Sequence, residues 1–162
     1  MKKNKIHKDS FQELAEKLVI YQIRSKWLSI SKVYNELASE QDGTMSMAFV
    51  LLTIHVEKGT PVTKIAPRMG MEPNSLSRIL KSMEKKGLVY RRKSRSDKRK
   101  VYISLTDHGK QMREVAMNAV FSLEGSIQNN VSQKDLQGFF KVMEGIPKAM
   151  EVLNGAVSNA SE

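Results

Sequence analysis

The chain has 162 residues, of which 40 % are apolar and 27 % are charged, as in one ordinary globular domain. It contains no cysteine, which excludes disulfides, thiolate metal sites, cysteine nucleophiles and cysteine-based redox sensing. The longest uncharged apolar run, around residues 45–55, is too short to span a bilayer, and no apolar segment follows the basic start. We therefore expect a cytoplasmic protein.

The net charge of +10 is concentrated in the middle of the chain. Residues 58–113 carry 16 basic and 4 acidic side chains, a net charge of +12, whereas the segments before and after them carry +1 and −3. A positive field focused on one segment indicates a polyanionic partner, such as nucleic acid or an anionic membrane surface. The alternative interpretation is a basic surface that only serves solubility.

Three helices are predicted in the first part of the chain. Residues 9–39 contain no proline or glycine and repeat apolar residues at helical spacing, which predicts one long helix. Ser46 is expected to cap a second helix over residues 47–57. Thr60-Pro61 is expected to cap and start a third, short helix, which Gly70 ends.

The pattern changes after residue 70. A fourth helix is predicted from Pro73 to Lys86, and strands over residues 88–93 and 100–105 form a hairpin around a polar, basic loop. Thr106 is expected to cap a fifth helix that ends near residue 129. These elements predict a mainly α chain with a small β-hairpin wing, that is, a winged helix-turn-helix with long N- and C-terminal helices.

A sixth helix is predicted to start at a capping box, Ser132 to Asp135. Pro147 is expected to interrupt it, and the small polar residues 155–162 are expected to fray. The apolar stripes of the terminal helices exceed what one helix-turn-helix core can cover. We therefore expect that a second copy of the chain covers them.

The fourth helix carries the candidate base-reading residues. Leu76, Leu80 and Met83 lie on its apolar face. The opposite face presents hydrogen-bonding side chains without an acid among them: Asn74, Ser75, Ser77, Arg78 and Lys81. Arginine can pair with guanine and asparagine with adenine, and the first residues of such a helix usually reach the bases. The alternative is a solvated amphipathic helix with arbitrary polar residues.

The hairpin holds seven basic side chains and one acid, Asp97. So dense a positive charge repels itself unless an anion is near, and it suits the DNA minor groove, where arginine is favoured. Asp97 is expected to hold the fork of Arg99 or Arg95, to make a turn with its own backbone, or both. The candidate wing residues are Arg95, Asp97, Lys98 and Arg99.

Several motifs in the middle of the chain occur together: Ile65-Ala66, Ser75-Leu76-Ser77-Arg78, Met83 to Arg91, Asp97-Lys98-Arg99 and Ile103 to Gly109. They resemble the MarR family of winged-helix bacterial transcription regulators. The resemblance implies a homodimer on pseudo-palindromic double-stranded DNA, with residues 74–81 in the major groove and Arg99 in the minor groove. Many members of that family release DNA when a small aromatic or acyl ligand, or an oxidant, acts on them. The oxidant-sensing branch uses cysteine and is excluded here.

The sequence therefore predicts a homodimeric, sequence-specific DNA-binding transcription regulator and not an enzyme. The resemblance to the MarR family favours a repressor over an activator. No catalytic residue, metal site, cofactor or membrane partner is expected. Residues 1–45 are expected to form an N-terminal dimerisation helix, 46–110 the DNA-binding core and 111–162 the C-terminal dimerisation helices. The alternative is a non-specific architectural or RNA-binding winged-helix protein, which would not need the polar array on the fourth helix.

Overall fold

A computed structural model describes residues 11–94, 97 and 99–159. The described residues form seven helices and three strands: α1 (Phe11–Ala15), α2 (Val19–Ser39), α3 (Met45–Thr53), β1 (Thr60–Pro61), α4 (Val62–Met69), α5 (Pro73–Lys85), β2 (Val89–Lys93), β3 (Val101–Leu105), α6 (Asp107–Asn129) and α7 (Gln133–Asn159). This confirms a mainly helical chain with a small β wing. None of these helices is both long and apolar enough to cross a membrane. Contacts divide the described residues into two compact units, the first ending at Ala119 and the second beginning at Val120.

The prediction of one helix over residues 9–39 is wrong, because the helix breaks between α1 and α2. The N–H groups of Lys17 and Leu18 bond to carbonyls only three residues back, at 2.9 and 3.0 Å, and Leu18 then takes an extended backbone. The break lets the rings of Phe11 and Tyr21 meet at 5.3 Å, whereas a straight helix would separate them by about 15 Å. The contact between the Phe11 and Tyr21 rings is thus formed where about one turn of helix is lost.

The second predicted helix starts earlier and ends earlier than expected. Thr44, rather than Ser46, is its N-cap: its hydroxyl accepts a hydrogen bond from the Met47 N–H at 3.2 Å. The helix ends at Thr53 instead of continuing to residue 57, because the backbone of Ile54 is extended and its side chain enters the core. The chain from Ile54 onward is therefore a loop that leads to the sheet.

Thr60 and Pro61 form a strand instead of the start of a helix. They pair with Tyr102 and Ile103, so the sheet is antiparallel with the order β1-β3-β2. The Thr60 hydroxyl accepts from the His55 N–H at 2.9 Å and is therefore already engaged by the preceding loop. The predicted hairpin is confirmed by β2 and β3, which pair along their full length.

One apolar core lies between the sheet and helices α3, α4 and α5. Its buried side chains come from all of these elements: Val50, Leu51, Ile54, Ile65, Ala66, Leu76, Leu80, Met83, Leu88, Val89, Ile103 and Leu105. The apolar face predicted for α5 is thus the face that enters the core. This packing fixes which side of α5 remains in solvent.

Glycine ends α4, as predicted, and sets the turn of the helix-turn-helix. Gly70 has φ = 59°, a left-handed conformation that glycine adopts at little cost. Its N–H donates to the Pro67 carbonyl and the Met71 N–H donates to the Ala66 carbonyl, both at 3.1 Å. This pair of bonds is a Schellman motif, which closes the helix and turns the chain toward α5.

The capping box predicted for the last helix is present. The Ser132 N–H donates to the Asp135 carboxylate at 3.0 Å, and the Asp135 N–H donates to the Ser132 hydroxyl at 3.2 Å. The Ser132 hydroxyl and N–H hold the pKa of Asp135 below its ordinary value. The predicted interruption at Pro147 is wrong, because α7 runs through it to Asn159. A proline removes one helical hydrogen bond but need not end a long helix.

Gly109 allows α6 to pack against the chain that enters the wing. The Thr106 hydroxyl caps α6 by accepting from the Gly109 N–H at 2.9 Å, as predicted, and donates to the Gly87 carbonyl at 2.5 Å. The Thr106 N–H donates to the Leu88 carbonyl at 3.1 Å. A Cβ atom on Gly109 would overlap the Leu88 carbonyl oxygen. Because that oxygen belongs to backbone, it cannot move aside as a flexible side chain would.

We expect Gly109→Ala to lower the free energy of unfolding by about 3 kcal/mol, the upper range for overpacking a tight site. Gly125→Ala on the same helix is the matched control, since no described atom lies within 4 Å of its added Cβ. That control should raise stability by up to about 1 kcal/mol. Urea denaturation of both variants measures the difference, and equal effects would contradict the close packing.

Candidate nucleic-acid interface

The five candidate residues of α5 are all exposed: Asn74, Ser75, Ser77, Arg78 and Lys81. They lie on the side of the helix away from Leu76 and Leu80, which are buried in the core. Within the described part of the chain, neither Arg78 nor Lys81 takes part in an ion pair. Both cations are therefore available to an anionic partner.

The Ser77 hydroxyl has a local role that the sequence did not indicate. It donates a hydrogen bond to the Pro73 carbonyl of the first turn of α5, at 2.9 Å. A hydroxyl has only one proton to donate, so the Ser77 oxygen is left as an acceptor in this arrangement. It could meet an amino group of a base but not, without rearrangement, a phosphate oxygen.

The wing tip is organised by Asp97. Its carboxylate accepts from the backbone N–H of Arg99 at 3.1 Å and from the Arg99 guanidinium Nε at 3.4 Å. The Lys100 ammonium lies 3.6 Å from the other carboxylate oxygen. The turn and the arginine contact foreseen as alternatives thus occur together. Two further predicted wing residues, Arg95 and Lys98, lie outside the described residues.

These contacts also shift the titration of Asp97. The Arg99 N–H lowers the pKa of the carboxyl below its ordinary value, partial desolvation opposes that effect, and the Arg99 and Lys100 side chains reinforce it. The carboxylate is therefore charged at neutral pH and accepts from both the backbone N–H and the guanidinium Nε of Arg99. The Arg99 side chain itself remains almost fully exposed.

Two other arginines of the hairpin bind within the protein. The Arg91 Nε donates to the Glu84 carboxylate of α5 at 2.9 Å. The Arg92 guanidinium donates to the Lys58 carbonyl at 2.9 Å and lies over the Tyr102 ring, 5.3 Å from its centroid. The sequence does not distinguish these two arginines from the other basic residues of the hairpin. In the structure, Arg91 and Arg92 contact other parts of the protein, whereas Arg99 is exposed to solvent.

A cavity of about 430 Å³ lies between the start of α4 and the wing. It is lined by Pro61, Val62, Thr63, Lys64, Arg91, Arg99, Lys100, Val101 and Tyr102. Four of these residues are cations and none is acidic, so the cavity extends the positive surface of the wing toward α4. Sequence reasoning missed Thr63 and Lys64, although both are polar residues in the first turn of α4.

The structure describes two of the three histidines, His55 and His108. Among the described residues, no three side chains of His, Asp or Glu are placed to hold a metal ion together. His55 has a structural role instead: its Nδ1 accepts from the N–H groups of Glu57 and Lys58 at 3.2 and 3.1 Å. It shapes the loop between α3 and β1.

A helix-turn-helix whose second helix exposes a polar face, followed by a basic β hairpin, is a winged helix-turn-helix, a class of DNA-binding fold. The MarR family model matches residues 44–101. The SarZ transcriptional regulator of Staphylococcus saprophyticus is 33 % identical over 99 residues, which cover 61 % of this chain and 66 % of SarZ. SarZ of Staphylococcus epidermidis is 27 % identical over 127 residues, or 77 % and 82 % of the two chains. The chain belongs to the MarR family of DNA-binding transcription regulators, which are not enzymes.

Solved structures show the same fold. The chain resembles Staphylococcus aureus MepR in a complex with DNA, with a TM-score of 0.74 and 19 % identity, covering 82 % of this chain and 98 % of MepR. It also resembles CouR of Rhodococcus jostii RHA1 bound to p-coumaroyl-CoA, with a TM-score of 0.70 and 18 % identity, covering 82 % and 93 % of the two chains. At these identities the likeness establishes the architecture.

The wing turn should depend on pH through Asp97. The pKa of Asp97 is lower in the folded protein than in the unfolded chain. The carboxylate therefore stabilises the turn fully at pH values above the Asp97 pKa of the unfolded chain, and this stabilisation is lost as the pH falls through the Asp97 pKa of the folded protein. We expect the Arg99 amide proton, followed by NMR, to titrate with a midpoint below the ordinary aspartate pKa. Asp97→Asn should abolish that titration, and a midpoint at or above the ordinary value would contradict the contact.

Proposed function

We propose that the chain is a sequence-specific repressor that binds pseudo-palindromic double-stranded DNA as a homodimer in the cytoplasm. The observation that carries this proposal is the exposed face of α5, which presents Asn74, Ser75, Ser77, Arg78 and Lys81 with no acid among them. The wing cations beside Asp97 supply a second contact. Repression would follow from competition with the transcription machinery for the same promoter DNA.

Chemistry divides the residues of α5 into two groups. Arg78 can donate two parallel hydrogen bonds to a guanine, and Asn74 can both donate to and accept from an adenine. Both lie in the first half of α5, the end that usually reaches the bases. Lys81 lies further along the helix and carries a compact charge without a fork, which suits a phosphate. We therefore assign base recognition to Arg78 and Asn74, and backbone contact to Lys81.

The wing suits a narrow minor groove. The Arg99 side chain is almost fully exposed to solvent, while Asp97 accepts from its backbone N–H and its guanidinium Nε. An arginine that enters a narrow minor groove gains from the enhanced negative potential there. Lys98 and Arg95 remain candidate wing contacts on the strength of their sequence positions. The wing would then read groove width, while α5 reads base edges.

Arg78→Ala should cost about 1–3 kcal/mol on the preferred duplex and relax the preference at one base pair in each half-site. Lys81→Ala should instead weaken binding to all duplexes by a similar factor. The unmodified dimer, with about four phosphate contacts per subunit, should show a slope of log affinity against log salt of roughly −7. Fluorescence anisotropy on a selected duplex and its single-base variants measures all three quantities.

The same titrations test the alternative of a non-specific architectural or RNA-binding protein. That protein would bind selected, random and RNA duplexes with similar affinity at one salt concentration. It would also lose affinity uniformly on Arg78→Ala, since only phosphate contacts would be removed. Either result would overturn the assignment of base recognition to α5.

Exposed apolar side chains support the homodimer. In the first unit, α2 exposes Val19, Ile20, Tyr21, Trp27, Leu28, Val33 and Leu37. In the second unit, α7 exposes Phe139, Phe140, Val142, Met143, Met150, Val152 and Leu153. Apolar surfaces of this extent on a monomer usually mark an interface. Two copies related by a twofold axis would also match the symmetry of a pseudo-palindromic site.

We expect a dimer at micromolar concentration by analytical ultracentrifugation. Phe139→Glu should shift the protein toward monomer and reduce affinity for a two-half-site duplex, because an unpaired charge in an apolar interface is strongly disfavoured. Lys148→Glu is the matched control, since nine residues at 100° each place it on the opposite side of α7. A monomeric unmodified protein, or equal effects of both variants, would contradict the proposed interface.

We further propose that a small aromatic or acyl ligand releases the DNA. The support is the shared fold with CouR, which is bound to p-coumaroyl-CoA in its crystal structure. A ligand that binds only the DNA-free form would lower the apparent DNA affinity by mass action. Repeating the anisotropy titration with aromatic acids and acyl thioesters tests this, and unchanged DNA affinity with all of them would count against it.

A further inference from the structure

We propose that Arg92 is a positioning residue for DNA binding, which holds the wing against the loop between α3 and β1 and does not itself bind DNA. The proposal rests on the wing contact proposed above, because Arg92 would act through Arg99. Its basis is the position of one guanidinium that contacts a second strand and a loop at the same time.

Arg92 joins three segments of the chain. It lies on β2, and its direct partner across the hairpin is Tyr102 on β3. The guanidinium lies over the Tyr102 ring at 5.3 Å and donates through Nη2 to the Lys58 carbonyl at 2.9 Å. A planar guanidinium can stack and donate at once, which a lysine ammonium cannot do in the same way.

The loop that receives this hydrogen bond is itself well anchored. The Nδ1 of His55 accepts from the Lys58 N–H at 3.1 Å, and the His55 carbonyl accepts from the Gly59 N–H at 2.9 Å. Gly59 has φ = +65° and lies so close to β3 that an added Cβ would be 2.6 Å from the Ile103 carbonyl oxygen. The Lys58 carbonyl is therefore a fixed point on the body of the domain.

The wing needs such an attachment because the third strand pairs only with the middle of β3 and does not reach the tip of the hairpin. Strand β1 pairs with Ile103 and Tyr102, whereas the pair of Lys93 and Val101 has no third strand beside it. A two-stranded hairpin is marginally stable by itself. Arg92 lies at the boundary between the three-stranded and two-stranded parts, where a contact with the body limits the direction of the tip that carries Arg99.

The competing interpretation is that Arg92 binds a DNA phosphate, as its charge and exposure would suggest. The two roles respond differently to substitution. A phosphate contact tolerates lysine and contributes to the salt dependence of binding. A positioning role depends on the flat guanidinium and on the Tyr102 ring, and it leaves the number of phosphate contacts unchanged.

The test measures the affinity of the full-length protein for a duplex selected from random sequence, across a range of salt concentrations. We expect Arg92→Lys and Tyr102→Leu each to weaken binding about two- to fivefold per subunit, the effect of one exposed cation–π contact. The slope of log affinity against log salt concentration should be the same for both variants as for the unmodified protein. Tyr102→Phe, which keeps the ring, is the matched control and should bind like the unmodified protein.

Two combinations make the test specific. Arg92→Lys with Tyr102→Leu should weaken binding no more than either alone, because both remove one contact. In an Arg99→Ala background, Arg92→Lys should have no further effect, since the residue it positions is absent. A persistent effect there would show general destabilisation and overturn the proposal, as would normal binding by Arg92→Lys. If Arg99→Ala alone leaves affinity unchanged, the wing contact of the proposed function fails instead.

Discussion

The burial of one face of α5 is the constraint on which the rest of the interface depends. Leu76, Leu80 and Met83 are almost completely removed from solvent, and each such side chain contributes about 1.5–3 kcal/mol. Turning α5 by one residue would expose part of this face and bury Ser77 or Arg78 instead. Burying an unpaired guanidinium costs several kcal/mol, so the rotation of α5 is strongly determined. The residues proposed to read DNA face solvent because the apolar residues on the other side of α5 are fixed in the core.

The positive charge of the central segment serves two purposes in the structure. Arg91 and Arg92 connect the wing to α5 and to the loop after α3. Arg99 and Lys100 extend from the tip beside the single acid, Asp97. A hairpin that is attached to the rest of the domain by one ion pair and one hydrogen bond can carry unbalanced charge at its tip. The net charge alone therefore overstates the number of cations that are free to meet a phosphate.

Close backbone approaches hold the wing to the helices. Gly59 packs on β3, and Gly109 packs on the Leu88 carbonyl where the chain enters β2. The Thr106 N–H donates to the same carbonyl, and the Thr106 hydroxyl accepts from the Gly109 N–H. Residues at the base of the wing are thus restricted by packing, and those at the tip by the charges around Asp97.

Local chemistry in the sequence was sufficient for much of this protein. The left-handed turn at Gly70, the capping box at Ser132 and the apolar spacing on α5 predicted helix ends and a buried face, because each depends on neighbours within one or two turns. The alternating pattern predicted the hairpin, and Asp97 was predicted to contact Arg99 or Arg95, of which the contact with Arg99 is present. The assignment of DNA contacts to Asn74, Arg78 and Arg99 stays a prediction.

Tertiary structure decided the features that depend on distant partners. Thr60 could cap a helix by its local pattern, but pairing with Ile103 made it a strand. The break before α2 allows a ring contact between Phe11 and Tyr21, and no proline or glycine marks it. Arg92 is indistinguishable from its basic neighbours in the sequence, and only the approach of Lys58 and Tyr102 gave it a separate role. These outcomes depend on contacts between segments 10 to 43 residues apart, which local spacing does not encode.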